Sequence, residues 1–173
     1  MELFDLYDQF GQKLNKKMKR GTTNNKGEYH RVVHIWILNN KNQYLIQQRN
    51  KSTDRYPYQW APTAGAVISG ETSLEAAQRE VAEELGIEIE KEAFNFIDSL
   101  YVKDPKSNYI IDLFLIKRNI RLGSLNIDKI EVKDIAYKTK KQIIQMIENS
   151  EFWNFIRDLP DHDYFTILEK STI

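Results

Sequence analysis

Short apolar runs separated by polar turns organise most of this chain. Arg31-Val32-Val33-His34-Ile35-Trp36-Ile37-Leu38 and Gln43-Tyr44-Leu45-Ile46-Gln47-Gln48-Arg49 are rich in β-branched and aromatic residues and predict two strands, with Asn39-Asn40-Lys41-Asn42 as the hairpin turn. Phe94 to Val102 and Tyr109 to Lys117 alternate well enough to predict two more strands joined through Asp104-Pro105, and Ile130 to Tyr137 reads as a last short strand. Leu3 to Tyr7 and Leu14 to Met18 flank Gly11 as a short hairpin, with helical turns as the alternative. Elsewhere the period lengthens. Leu74, Ala77, Val81 and Leu85 recur at helical spacing and predict a helix over about 72–85 with those residues as its buried stripe. Lys140 to Ile147 reads as a second helix, and Phe152 to Leu168 as helical segments interrupted near Pro160. Thr22 to Gly27 is a polar loop, and Asn50 to Pro62 an irregular loop carrying Pro57, Tyr58 and Trp60. Strands mixed with a few helices, without strict alternation, predict an α/β fold with a mixed sheet covered on both faces.

Composition narrows the picture. A chain of 173 residues with 41% hydrophobic content suffices for one well-buried core, so a single domain over 1–173 is expected, its first 29 residues forming an extension or hairpin. Lys+Arg and Asp+Glu both number 25, which gives no reason for a nucleic-acid surface, and the mean hydropathy of -0.58 argues against a membrane protein. The start, Met1-Glu2-Leu3-Phe4-Asp5, lacks the basic-then-apolar order of a secretion signal, so a cytoplasmic location is expected. With no cysteine, disulfides, thiolate metal sites and cysteine nucleophiles are excluded together.

The chemistry concentrates on the helix over 72–85. Thr72 or Ser73 can cap it, Glu75 completes a capping box with Thr72, and Gly86 ends it. A helix turns about 100° per residue, so Glu80, Glu83 and Glu84 share one face within reach of one hard cation. Like charges so close invite a divalent ion. Arg79 directly precedes Glu80 and is not expected to face it. Its natural partner is Glu71 in the preceding loop, held by a forked guanidinium.

Gly65, then Glu71, then Arg79-Glu80-Val81-x-Glu83-Glu84-x-Gly86-Ile87 is similar to the signature of the Nudix hydrolase superfamily, with no departure inside the motif. The resemblance implies an α/β/α sandwich and hydrolysis of a phosphoanhydride in a nucleoside diphosphate linked to a moiety X, or in a related small diphosphate. It also implies Mg²⁺, with Mn²⁺ as the alternative. Carried onto this chain, it makes Glu80 and Glu84 the core metal ligands, Glu83 a further ligand and the Gly65 carbonyl a candidate to complete the site, with Arg79 and Glu71 orienting it. Family members keep the water-activating base either on the helix or on a distant loop; Glu131, before the last strand, is the loop candidate here.

A narrower likeness spans roughly residues 3–155. The runs LFDLYD and YHRVVHIWILN, the Pro57 to Trp60 spacing and Glu131-Val132-x-Asp134 resemble the Nudix branch allied to type I isopentenyl-diphosphate isomerase. That enzyme moves a double bond with a cysteine and histidine-rich metal ligands. Counted from Trp60, the cysteine position falls at Gly65 and a metal histidine at Val67, and the acidic motif is intact where isomerases have a degraded one. Hydrolase is therefore the first reading, with an isomerase-like enzyme and a non-catalytic nucleotide-binding module as alternatives. His30 and His34 read as strand histidines bonded to backbone.

For the substrate, Arg49 and Arg55 are suitable forks for phosphates and Trp60 a suitable stacking ring, whereas Trp36 and Phe114 belong to the core. Lys16, Lys17, Lys19 and Arg20 form a basic run whose ordinary reading is a solvated strand or loop, with phosphate binding as the lesser one. Phe152-Trp153-Asn154-Phe155-Ile156 buries either on the home sheet or against a second copy in a homodimer.

Overall fold

The computed structural model describes residues 2–50, 56–153 and 164–170. Its organising strand is β3 (His30–Leu38). One edge of β3 pairs in parallel with β8 (Tyr109–Lys117) along its whole length, from His30↔Tyr109 to Leu38↔Lys117. Two strands share the other edge. β4 (Gln43–Arg49) leaves the hairpin turn and pairs with β3 only at Ile37↔Leu45 and Leu38↔Tyr44. The opened wedge is filled by β6 (Thr63–Ala66), which pairs Val32↔Ala66 through Ile35↔Thr63. On its far side β4 pairs with β9 (Val132–Thr139) and with β5 (Trp60–Ala61), while β7 (Asn95–Val102) closes the opposite edge on β8. Among the described strands, every strand-to-strand pairing in this sheet but β3–β8 is antiparallel.

Both faces of the sheet are covered, as its alternation requires. Val33, Ile35 and Ile37 of β3 face α1 (Ser73–Leu85), packing with Ala77, Val81, Leu85, Phe114 and Ile116. Trp36 and Leu38 face the other way, against Ile143 and Met146 of α2 (Lys140–Glu148) and Tyr164, Phe165 and Leu168 of α3 (Tyr164–Lys170). The expected α/β/α layering is thus present, and Trp36 and Phe114 are core residues. Val81 and Leu85 are fully buried, each contributing about 1.5–3 kcal/mol from burial.

A separate antiparallel hairpin, β1 (Leu3–Tyr7) with β2 (Lys13–Lys19), precedes the sheet. Its turn is set by the Asp8 carboxylate, which accepts the N–H groups of Phe10 and Gln12, and by Gly11 at φ 76. Hairpin, not helical turns, is the outcome at this end. Phe4, Leu6 and Met18 form a small core of their own against Leu14 and Ala66.

Several boundaries differ from expectation. The last strand starts at Val132 and not Ile130, because Asp128 closes a turn there, accepting the N–H groups of Ile130, Glu131 and Val132. Phe94 ends a short 3₁₀ turn and the strand starts one residue later. Within the stretch read as an irregular loop, β5 forms on β4, and β6 follows on β3, because those strands present open edges to it. The buried face of α1 includes Ala76, Glu80 and Glu84, while Leu74 is only half-buried. Phe152 is buried against Trp36 with its ring stacked at 6.3 Å, so it packs at home; 154–156, the break near Pro160, and Arg55 lie outside the described residues.

Candidate active site

Helix α1 is placed by its ends. Thr72 caps it through a reciprocal box, its hydroxyl accepting the Glu75 N–H at 3.2 Å while the Glu75 carboxylate accepts the Thr72 N–H at 2.8 Å. Gly86 closes it at φ 65, and any side chain there would meet the Asn126 carbonyl at 2.2 Å. Between these caps the helix presses Glu80 and Glu84 onto the sheet where β4 parts from β3 and β6 enters.

The seat of the Glu80 carboxylate leaves no room for a side chain at position 65. A Cβ on Gly65 would lie 1.9 Å from Glu80 Oε1. Glu84 is 5% exposed and accepts a hydrogen bond from Gln47 Nε2 at 2.7 Å, and Thr63 donates to Gln47 Oε1 at 3.4 Å. Burial, then the neighbouring Glu80 charge, pushes the Glu84 carboxyl up to about 8 against the opposing Gln47 bond. Glu80 is pushed up to about 7 by burial, opposed by Arg79, with Glu83 and Glu131 adding to the rise. Two buried carboxyls held above their ordinary range are an electrostatic demand for positive charge.

Arg79 meets part of that demand. Its Nε and Nη2 fork onto Glu71 at 2.8 and 3.1 Å, Nη2 also donates to the Ala66 carbonyl, and Nη1 donates to Glu80 at 2.6 Å and Glu83 at 3.1 Å. The Glu71 fork is the expected one. The Glu80 contact corrects the expectation that neighbours cannot meet: their Cβ atoms diverge, but two long side chains converge beyond the helix surface at the loop. The Glu71 bonds, then the Glu80 charge, raise Arg79 further, while Glu71 falls below its ordinary value because the Arg79 bonds and the Ile68 N–H outweigh its burial.

A cleft of about 140 Å³ is lined by Glu80, Glu83 and Glu84 together with Gly65, Arg49 and Glu131. Sequence-distant Glu131 is brought opposite the helix by the Asp128 turn and by the Asn50 N–H bonded to its carbonyl at 2.8 Å. Trp60 is not brought there: its ring packs half-buried against the core on the α2 side. Arg49 lies in the cleft with its guanidinium 6.0 Å from the Trp153 ring.

Sequence reasoning missed Gln47, which supports Glu84 from below, and the hairpin residue Glu2, which lines the cleft together with Arg20 of the basic run, whose lesser reading was phosphate binding. Gln47 had a signal. It stands two places after the α1-facing Leu45 and so points inward, a polar side chain in an apolar run. His30 meets the Asn108 backbone, as expected, and the Ser107 hydroxyl at 3.4 Å, while fully buried His34 pairs with the Tyr164 hydroxyl at 3.1 Å. Burial holds both imidazoles below their usual value.

The donor set, carboxylates and a backbone carbonyl around one polar cleft, fits a hard divalent cation. Among the described residues no three carboxylates or histidines already converge as a cage, since Arg79 engages Glu80 and Glu83 and Gln47 engages Glu84. Glu83 is the outlying member, its side chain 60% exposed.

A capped acidic helix seated on a mixed sheet, with its carboxylates over a polar cleft, defines a class of hydrolase, and comparison with known proteins agrees. The family model described as NUDIX domain matches residues 28–153, and the chain belongs to that family. It is 35% identical to a Nudix hydrolase of Listeria monocytogenes over 88% of both chains, and 36% identical over 79% of its length to Nudix hydrolase 3 of Arabidopsis thaliana, of which the match covers 19%. Distant similarity reaches isopentenyl-diphosphate delta-isomerase of Gibberella zeae, 31% identical over 78% of this chain and 61% of that one. In fold it is similar to DR0079 from Deinococcus radiodurans, with a TM-score of 0.65 at 23% identity over 87% and 91% of the two chains. The Nudix domain of Shewanella oneidensis NrtR, solved with ADP ribose, has a TM-score of 0.55 at 13% identity over 66% and 75%. The protein is thus a Nudix pyrophosphohydrolase, of a family that generally uses divalent metal ions. Among the described residues no helix is long and apolar enough to cross a membrane.

Proposed function

We propose that the protein hydrolyses the phosphoanhydride of a nucleoside diphosphate linked to X, or a related small organic diphosphate, with Mg²⁺. The observation that carries this reading is the pair of buried carboxyls, Glu80 and Glu84, facing a polar cleft that Arg49 and Arg79 also line. The cleft's volume suits a diphosphate and its waters, leaving X outside it.

Glu80 and Glu84, with Glu83 and the Gly65 carbonyl, would hold the ion. When bound, it neutralises phosphate charge and lowers the pKa of a water. Arg79 keeps Glu80 aimed at the cleft and ties it to the Glu71 loop. Gln47 fixes the rotamer of Glu84 by donating to one oxygen, leaving the other for the cleft. Glu131 is assigned as the base: a water oxygen attacks one phosphorus, its proton passes to Glu131, and the bridging P–O bond breaks to release two phosphate products. Arg49 accompanies the diphosphate as a charge partner. The protein would act as a cytoplasmic small-molecule enzyme, needing neither nucleic acid nor membrane.

The isomerase reading is weaker. The chain has no cysteine, and Val67, where that enzyme carries a metal-binding histidine, is buried in the α1-side core. The test is a screen of nucleoside di- and triphosphates, dinucleotides, nucleotide sugars and prenyl diphosphates with Mg²⁺ and Mn²⁺, scored by released phosphate products. Turnover that vanishes in Glu84→Gln supports the hydrolase; near-normal turnover in that variant, or conversion of isopentenyl diphosphate to its allylic isomer, overturns it.

A further inference from the structure

We propose that Arg20, at the end of the N-terminal hairpin, binds substrate, exchanging its ion pair with Glu2 for a phosphate oxygen of the diphosphate in the carboxylate cleft. The proposal rests on the hydrolase reading above. Arg20 belongs to a part of the chain outside the residues 28–153 that match the family model. It nonetheless lines the same cleft as Glu80, Glu84 and Arg49.

Two observations and the chemistry of the ligand favour this side chain. Arg20 Nη1 lies 2.7 Å from Glu2 Oε2, and both side chains are well exposed, at 67% and 42%. A pair so open to water is weak and readily replaced. Arg79, by contrast, is committed to Glu71, Glu80, Glu83 and the Ala66 carbonyl. A diphosphate offers several charged oxygens in a geometry that a planar guanidinium can fork, which a lone solvated carboxylate matches poorly.

The hairpin is also fixed to the loop that leads into α1. The Leu3 carbonyl accepts the Ser69 N–H at 2.7 Å, and Asp5, 4% exposed, accepts the Ser69 hydroxyl at 2.9 Å and the Gly70 N–H at 3.0 Å. One residue further on, Glu71 grips Arg79. The backbone of Arg20 is therefore held in register with α1, and only its side chain must turn to meet the substrate, which limits the ordering cost of binding. Glu2 serves as the placeholder that keeps the cation at the mouth of the cleft.

The test uses the full chain and inorganic pyrophosphate with Mg²⁺ as the probe, with affinity read by calorimetry and folding by thermal denaturation. Arg20→Gln is expected to weaken pyrophosphate binding by roughly ten- to a hundredfold with an unchanged melting temperature, and Arg20→Lys by less. Glu2→Gln is expected to tighten it, by removing the competitor, and the double variant to behave as Arg20→Gln alone. A structural role for the pair would move both single variants the same way. Wild-type protein that does not bind pyrophosphate, Arg20→Gln affinity within twofold of wild type, or weaker binding in Glu2→Gln would overturn the proposal. Because binding is read without turnover, failure here is distinct from failure of the hydrolase reading, which would appear as absent Mg²⁺-dependent phosphate release.

Discussion

Glu84→Gln should stabilise the metal-free protein while destroying its activity. Glu84 has its folded pKa raised from the model-compound 4.5 to about 8 by burial and by Glu80. The native chain therefore holds a proton that the unfolded chain releases across that window, so the stability present below pH 4.5 is lost as pH rises toward 8. Three and a half pH units correspond to about 5 kcal/mol as an upper bound. The amide that replaces the carboxyl still accepts from Gln47, but its own N–H groups need partners, which costs about 1–3 kcal/mol. A net gain of about 3 kcal/mol at pH 8 remains, roughly 6–12 °C in melting temperature for a chain of this size, shrinking toward zero or below at pH 4.5. The assay is thermal denaturation of both proteins from pH 4.5 to 8.5 in EDTA, repeated with Mg²⁺. Wild type should gain stability from Mg²⁺ by mass action, about 2.7 kcal/mol at a hundred times its Kd, and the variant little. A variant less stable than wild type at pH 8 in EDTA, or wild-type stability that does not fall between pH 4.5 and 8, would refute the reasoning.

Three further perturbations probe the same frame. Gly65→Ala places a methyl within 1.9 Å of Glu80 Oε1, so the carboxylate must leave its seat: turnover should fall at least about a hundredfold, and the lost Glu80–Arg79 bond should cost about 1.5–3 kcal/mol in urea unfolding. Gln47→Leu removes the bond that opposes the upward push on Glu84, so the acid limb of the pH–rate profile should move to higher pH; an unmoved limb would separate Gln47 from the chemistry. Asp112 is 1% exposed and accepts two bonds from Arg31 at 2.6 and 2.7 Å as well as those from Ser73, at the first turn of α1, and Ser99. Asp112→Asn should cost about 3–5 kcal/mol, lowering the melting temperature by roughly 6–20 °C, with a loss under 1 kcal/mol showing that α1 is anchored elsewhere.

Much of the helix and its chemistry is written locally. The Thr72 box, the Gly86 stop and the Glu80, Glu83, Glu84 face depend on residues within a few positions of one another, so spacing alone determines them. The strands of β3, β4, β7 and β8 were legible for the same reason, each being a run long enough to show its own alternation. What surrounds the helix was decided in three dimensions. Nothing near residues 60–66 announces a strand; β6 forms there because β4 veers from β3 and leaves an unpaired edge. That divergence brings Gln47 of β4 and Thr63 and Gly65 of β6 together beneath α1. The hairpin's Arg20 and Glu2 reach the cleft through Asp5 and Leu3, contacts some sixty residues away in sequence, while Trp60, attractive on its composition, turns into the core. Local steric and capping preferences act within a turn or two of chain, whereas strand pairing and burial are settled only when distant segments compete for the same edge and the same face.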